Sequence, residues 1–143
     1  MKTVAALHSG HFRPVAAALV MCLWVLAWIP GARCDDVRLT ARVDRNHVTV
    51  YDRIQYTLTV ETNRRNTPDP VPPDFSGFKV LGPPRTSTQF SWVNGRTTST
   101  KVYTYILQAQ KEGQFTISPA QIRDSGRTVQ STPVRIIVDK PGS

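Results

Sequence analysis

The stretch Phe90-Ser91-Trp92-Val93-Asn94-Gly95-Arg96-Thr97-Thr98-Ser99-Thr100-Lys101-Val102-Tyr103-Thr104-Tyr105-Ile106-Leu107 decides the fold. Two runs rich in Thr, Tyr, Val, Phe and Trp meet at Asn94-Gly95. Both positions of a tight hairpin turn need positive φ, which Gly accepts freely and Asn tolerates better than most residues. The flanking residue types suit a pleated, half-buried surface. The reading is therefore a long antiparallel ribbon. A two-residue turn sets Trp92 opposite Thr97 and Phe90 opposite Ser99. Alternation then puts Phe90, Trp92, Thr97, Ser99, Lys101, Tyr103, Tyr105 and Leu107 on one face. Tyr105 and Leu107, near the base, are expected in the core.

Strands extend outward on both sides of the ribbon. Val37 to Val43 alternates strictly, with Val37, Leu39, Ala41 and Val43 on one side and Arg38, Thr40 and Arg42 on the other. Asp44-Arg45-Asn46 turns, His47 to Val50 is a short strand, Tyr51-Asp52 turns again, and Arg53 to Thr62 alternates. Arg64-Arg65-Asn66-Thr67-Pro68-Asp69-Pro70-Val71-Pro72-Pro73 is polar, then proline-rich, and reads as an extended connector or edge segment. Phe78 to Leu81 is a short strand, with Phe75 plugging the end of the core. Beyond the ribbon, strands are expected at Phe115–Ser118, Ala120–Arg123, Thr128–Ser131 and Val134–Val138. Helical periodicity is missing after residue 34. About eight or nine strands, with turn signals every 8–12 residues or so, predict an all-β, immunoglobulin-like antiparallel β-sandwich over residues 35–139. Residues 140–143 read as a linker-like tail. Lys101 and Arg135 are read as markers of edge strands, where charge discourages pairing between sheets.

The first 34 residues differ. A basic start, an apolar run from Val15 to Ile29 and a small-residue junction at Ala32 and Cys34 describe a secretory signal peptide, preceding the sandwich as a helix. Cleavage is expected after Cys34. An uncleaved anchor through residues 15–29 is the alternative, and the sole route to membrane association. Both cysteines, Cys22 and Cys34, leave with the signal, so the exported domain is held by packing alone. Processing leaves 15 basic and 10 acidic residues. That moderate positive charge suits an acidic partner or lipid headgroups. It lacks the dense basic run of a nucleic-acid binder.

Chemistry-bearing constellations are sparse. His47 is the single histidine after the signal, which rules out a Cys/His metal site on ligand supply. No serine lies in a strained elbow motif, and the aspartates fall mostly in turns. Catalytic residues, metal ligands and cofactors are therefore expected to be none. The better candidate is the hairpin tip. If the ribbon outruns the sandwich, Phe90 and Trp92 form a partner-binding patch with Asn94 at the turn and Arg96 beside it. The competing reading buries the two aromatics under another strand or under the proline segment. Arg64-Arg65 reads as a solvated loop or as a contact for acidic groups.

The order of these pieces resembles the amino-terminal region of the BatD family, the bacterial oxygen-tolerance or aerotolerance-operon proteins. The likeness runs through Val37-Arg38-Leu39-Thr40-Ala41-Arg42-Val43-Asp44-Arg45-Asn46, Pro73-Asp74-Phe75-Ser76-Gly77-Phe78-Lys79-Val80-Leu81-Gly82, Val93-Asn94-Gly95, Tyr103-Thr104-Tyr105-Ile106-Leu107, Lys111-Glu112-Gly113-Gln114-Phe115-Thr116-Ile117 and Ser131-Thr132-Pro133-Val134-Arg135-Ile136-Ile137-Val138. The resemblance implies an immunoglobulin-like domain facing the periplasm and no catalytic residues. It implies a protein partner at the inner membrane with a von Willebrand factor A-type domain, and a role in aerotolerance and stress resistance. Family members usually add further β domains and a membrane helix, so this sequence reads as the first domain, either truncated or standing alone. Tyr51-Asp52 departs from the family, which tends to place Gly before the acid. A generic exported adhesion or carbohydrate-binding module is the alternative reading.

Overall fold

The structure, a computed structural model, describes residues 37–142. The signal-peptide reading, with its cleavage site and anchor alternative, lies outside the described residues. Ten strands run in order β1 (Val37–Val43), β2 (His47–Thr49), β3 (Arg53–Thr62), β4 (Phe78–Val80), β5 (Arg85–Val93), β6 (Arg96–Ala109), β7 (Gly113–Ile117), β8 (Gln121–Asp124), β9 (Arg127–Gln130) and β10 (Val134–Asp139). The described residues contain no helix, and the fold is all-β.

One sheet has the order β1-β3-β6-β4, with β5 also on β6, and a second has the order β2-β10-β7. Strands β8 and β9 form a separate hairpin. The alternation read from sequence is what buries the core. From the first sheet come Leu39, Ile54, Tyr56, Leu58, Val60, Tyr105 and Leu107, and from the second Ile117, Ile136 and Val138. Phe75 packs on Tyr56 and Tyr105, with ring centroids 5.3 Å away in each case, and so closes the core as expected. The Tyr56 hydroxyl is buried without a partner in hydrogen-bond geometry. Burial pushes its pKa up to about 12, and the nearby Ser131 hydroxyl offsets this only in part.

All pairings are antiparallel save β2 with β10, which is parallel. Asp44-Arg45-Asn46 carries the chain from one sheet to the other. Asp44 is fixed there by bonds exchanged with Gln55: its N–H donates to the Gln55 carbonyl at 3.1 Å, and its Oδ1 accepts from the Gln55 N–H at 2.8 Å. The short step makes no hairpin reversal, so β2 joins β10 in the other sheet rather than β1.

The two edge markers need correction. Lys101 lies on β6, between β3 and β5, and Arg135 lies on β10, the middle strand of its sheet, where it pairs with Thr116 of β7 just short of the β2 pairing that begins at Ile137. Neither strand is an edge. Lys101 tolerates its central position because its ammonium reaches Asp69 Oδ1 at 2.6 Å and sits 5.3 Å from the Tyr103 ring centroid.

Candidate interaction site

Asn94 and Gly95 take φ of 50° and 75°, the positive values the hairpin turn demands. Registration follows: Val93 pairs with Arg96, Trp92 with Thr97 and Phe90 with Ser99. The ribbon outruns its neighbours, because β3 pairs with β6 only as far as Thr62 opposite Ser99. Past that point β6 has β5 alone.

The proline segment is drawn across the inner face of β6, but it stops short of the tip. Thr67 Oγ1 and Ser99 Oγ hydrogen-bond at 2.7 Å. Tyr103 donates its hydroxyl proton to Asp69 Oδ1 at 2.5 Å. Val71 and Gln121 then exchange backbone bonds. The Asp69 carboxyl is held below its ordinary range, first by the Lys101 hydrogen bond and then by that of Tyr103. The cover thus falls on Ser99, Lys101 and Tyr103. Phe90 and Trp92, farther out, remain 65% and 78% exposed.

Arg65 joins them. A shallow concavity is lined by Arg65, Phe90, Trp92 and Thr97, and a second, on the opposite face of the tip, by Ser91, Val93, Asn94, Arg96 and Thr98. Asn94 and Arg96 are exposed but lie with Val93 on that opposite face. The four residues singled out from sequence are therefore brought to one tip, but not to one surface. Arg64, the neighbour of Arg65, is engaged elsewhere by Asp124. From sequence Arg65 reads as part of a solvated loop or as a contact for acidic groups, and not as part of the hairpin tip. Its meeting with residues some 25 positions away depends on how the connector crosses the sheet, and no local pattern encodes that.

Other clusters are structural in character. His47 pairs with Asp139 on the neighbouring strand. Asp52 accepts from the Thr49 N–H and from the Thr49 hydroxyl, each at 2.8 Å. Among the described residues no three His, Cys, Asp or Glu side chains converge as metal ligands would.

No curated protein matches the chain. The family model described as the BatD DUF11 like domain matches residues 41–138, which spans all the strands from β2 to β9, the last part of β1 and most of β10. The chain belongs to the BatD family.

Proposed function

We propose that this chain is an exported, non-enzymatic interaction module that binds a membrane-associated protein partner in the periplasm through the tip of the β5–β6 hairpin. The observation that carries this reading is the exposure of Phe90 and Trp92 beyond the cover of the proline segment. Large aromatics flanked by arginine are the side chains that supply most binding energy at protein interfaces. Family membership supports the class of partner, a membrane protein with a von Willebrand factor A-type domain, and a role in aerotolerance.

A pull-down of the chain from a membrane extract tests this, with Trp92→Ala and Phe90→Ala as controls. Recovery of such a membrane protein from the parent chain, lost with Trp92→Ala, is the expected result. Each substitution changes stability by no more than about 0.5 kcal/mol, as at other exposed positions. Recovery of the same partner by both variants sinks the tip as the contact. Glycan binding that depends on Trp92 would instead favour a carbohydrate-binding module.

A further inference from the structure

We propose that the open edge of β5 takes up an extended segment of a protein partner as an added strand, and that this segment alternates apolar and acidic residues. The inference rests on the interaction-module reading and names the chemistry of the partner.

The edge is open and regular. Every residue of β5 is exposed, and among the described strands β5 pairs only with β6. In a hairpin closed by two residues, Val93 and Arg96 form the first hydrogen-bonded pair. Alternation makes Ser91, Gln89, Ser87 and Arg85 the residues that bond to β6. The N–H and C=O groups of Thr86, Thr88, Phe90 and Trp92 therefore point away from the sheet. Natural edges are usually blunted by lysine, proline, a bulge or a covering loop. Strand β5 has no lysine and no proline, its register with β6 is unbroken, and Arg85 at its start is its one charge. The lysine that seemed to guard the ribbon, Lys101, is spent on Asp69 in a central strand.

The side chains around the edge choose the occupant. No acidic residue occurs between Asp74 and Glu112, while Lys79, Arg85, Arg96, Lys101 and Lys111 do. A second copy would set this cationic stretch against itself, so the charge favours an acidic guest. The two faces differ. Phe90 and Trp92 share the inner face with Arg65, while Arg85 and Arg96 lie toward the two ends of the outer face, where Val93 also lies. A guest strand with apolar side chains inward meets the aromatics, and its alternate acidic side chains meet the outer arginines. Strand addition of this kind draws affinity from main-chain bonds and specificity from alternate side chains. From Arg85 to Val93 the edge spans roughly 26 Å, which a strand of about nine residues covers.

The test uses the full chain and a peptide of about nine residues alternating valine with glutamate, with a valine–lysine peptide as control. Backbone amide exchange is followed by NMR. The glutamate peptide is expected to slow exchange at Thr86, Thr88, Phe90 and Trp92 by about tenfold or more, and by clearly less at the already bonded Ser87, Gln89 and Ser91. Thr88→Pro removes an outward N–H without touching the bonds to β6 and should weaken binding about tenfold. Protection retained at Ser87, Gln89 and Ser91 shows that this variant folds. Arg85→Glu with Arg96→Glu, which leaves the backbone alone, should transfer preference to the lysine peptide. The proposal is overturned by equal binding of both peptides, by binding without that alternating protection, by no binding to the folded chain, or by self-association that Thr88→Pro abolishes, which would make a second copy the occupant. In the membrane pull-down, a partner lost with Trp92→Ala but kept with Thr88→Pro leaves the tip reading standing and removes the strand addition. A partner kept with Trp92→Ala and lost with Thr88→Pro does the reverse.

Discussion

Tyr51 holds a backbone conformation that its side chain resists. Its φ is 72°, the left-handed region, where a Cβ crowds the following carbonyl. The turn keeps it there by bonds on both sides. The Tyr51 N–H donates to the Ala109 carbonyl at 2.9 Å, and Gln108 Nε2 donates to the Tyr51 carbonyl at 3.1 Å. The ring gives little in return, being 67% exposed. From sequence this position stood out as a departure, a tyrosine where the family tends to have glycine. The structure supplies the physical content: the backbone has the conformation that glycine adopts without strain. Tyr51→Gly should therefore stabilise the domain. Relief of left-handed strain, less the added chain entropy of glycine, leaves a gain of about 0.5–1 kcal/mol, or a few degrees in Tm. A fall in Tm, measured by circular dichroism, would show that Tyr51 makes a contact worth more than the strain it carries.

At the scale of elements, the turn from β2 to β3 depends on the residue after Tyr51. The Thr49 N–H, then the Thr49 hydroxyl, bond the Asp52 carboxylate and hold its pKa below the ordinary 3.8. A carboxyl with a depressed native pKa stabilises the fold above its unfolded value and loses that contribution as pH falls through the native value. The difference in urea midpoint between the parent and Asp52→Ala should hence be constant from neutral pH to about 4 and shrink on further acidification. A difference that persists undiminished in acid would assign the effect of Asp52 to packing. Elements such as this turn and the β5–β6 hairpin were legible because local chemistry defines them. Asn94-Gly95 set the register of nine residue pairs without any tertiary information. The order of strands within a sheet was not legible in the same way. Lys101 has the residue type of an edge, and only its distant partner Asp69 lets it sit at the centre. The same gap hid β5, whose sequence resembles an ordinary inner strand and whose open side depends on what else the chain places there.

The whole molecule divides its stability unevenly. Leu107 on the first sheet and Ile136 on the second are both fully buried in one continuous core. Truncating either leaves a cavity between the sheets, and Leu107→Ala or Ile136→Ala should each cost about 2–5 kcal/mol. The tip of the hairpin stands outside that core. Residues Arg96 to Thr98 pair only with β5, and their aromatic neighbours across the ribbon are exposed. Few buried contacts resist local opening there, so the tip is expected to exchange its amides without unfolding the domain. This makes the two substitutions diagnostic. In native-state hydrogen exchange, the ladder between β3 and β6 around Leu58 and Tyr103 should lose protection by the full destabilisation in both variants. The tip amides of Ser91 and Thr98, bonded only to each other's strand, should exchange at the parent rate. Equal loss of protection at Ser91 and Thr98 would mean that the tip unfolds only with the core. The ribbon would then be rigid to its end, and a partner would meet a surface already fixed in place. Unchanged exchange at the tip means that its contact surface opens and closes while the sandwich stays folded, and that a bound partner must bear the entropy of ordering it.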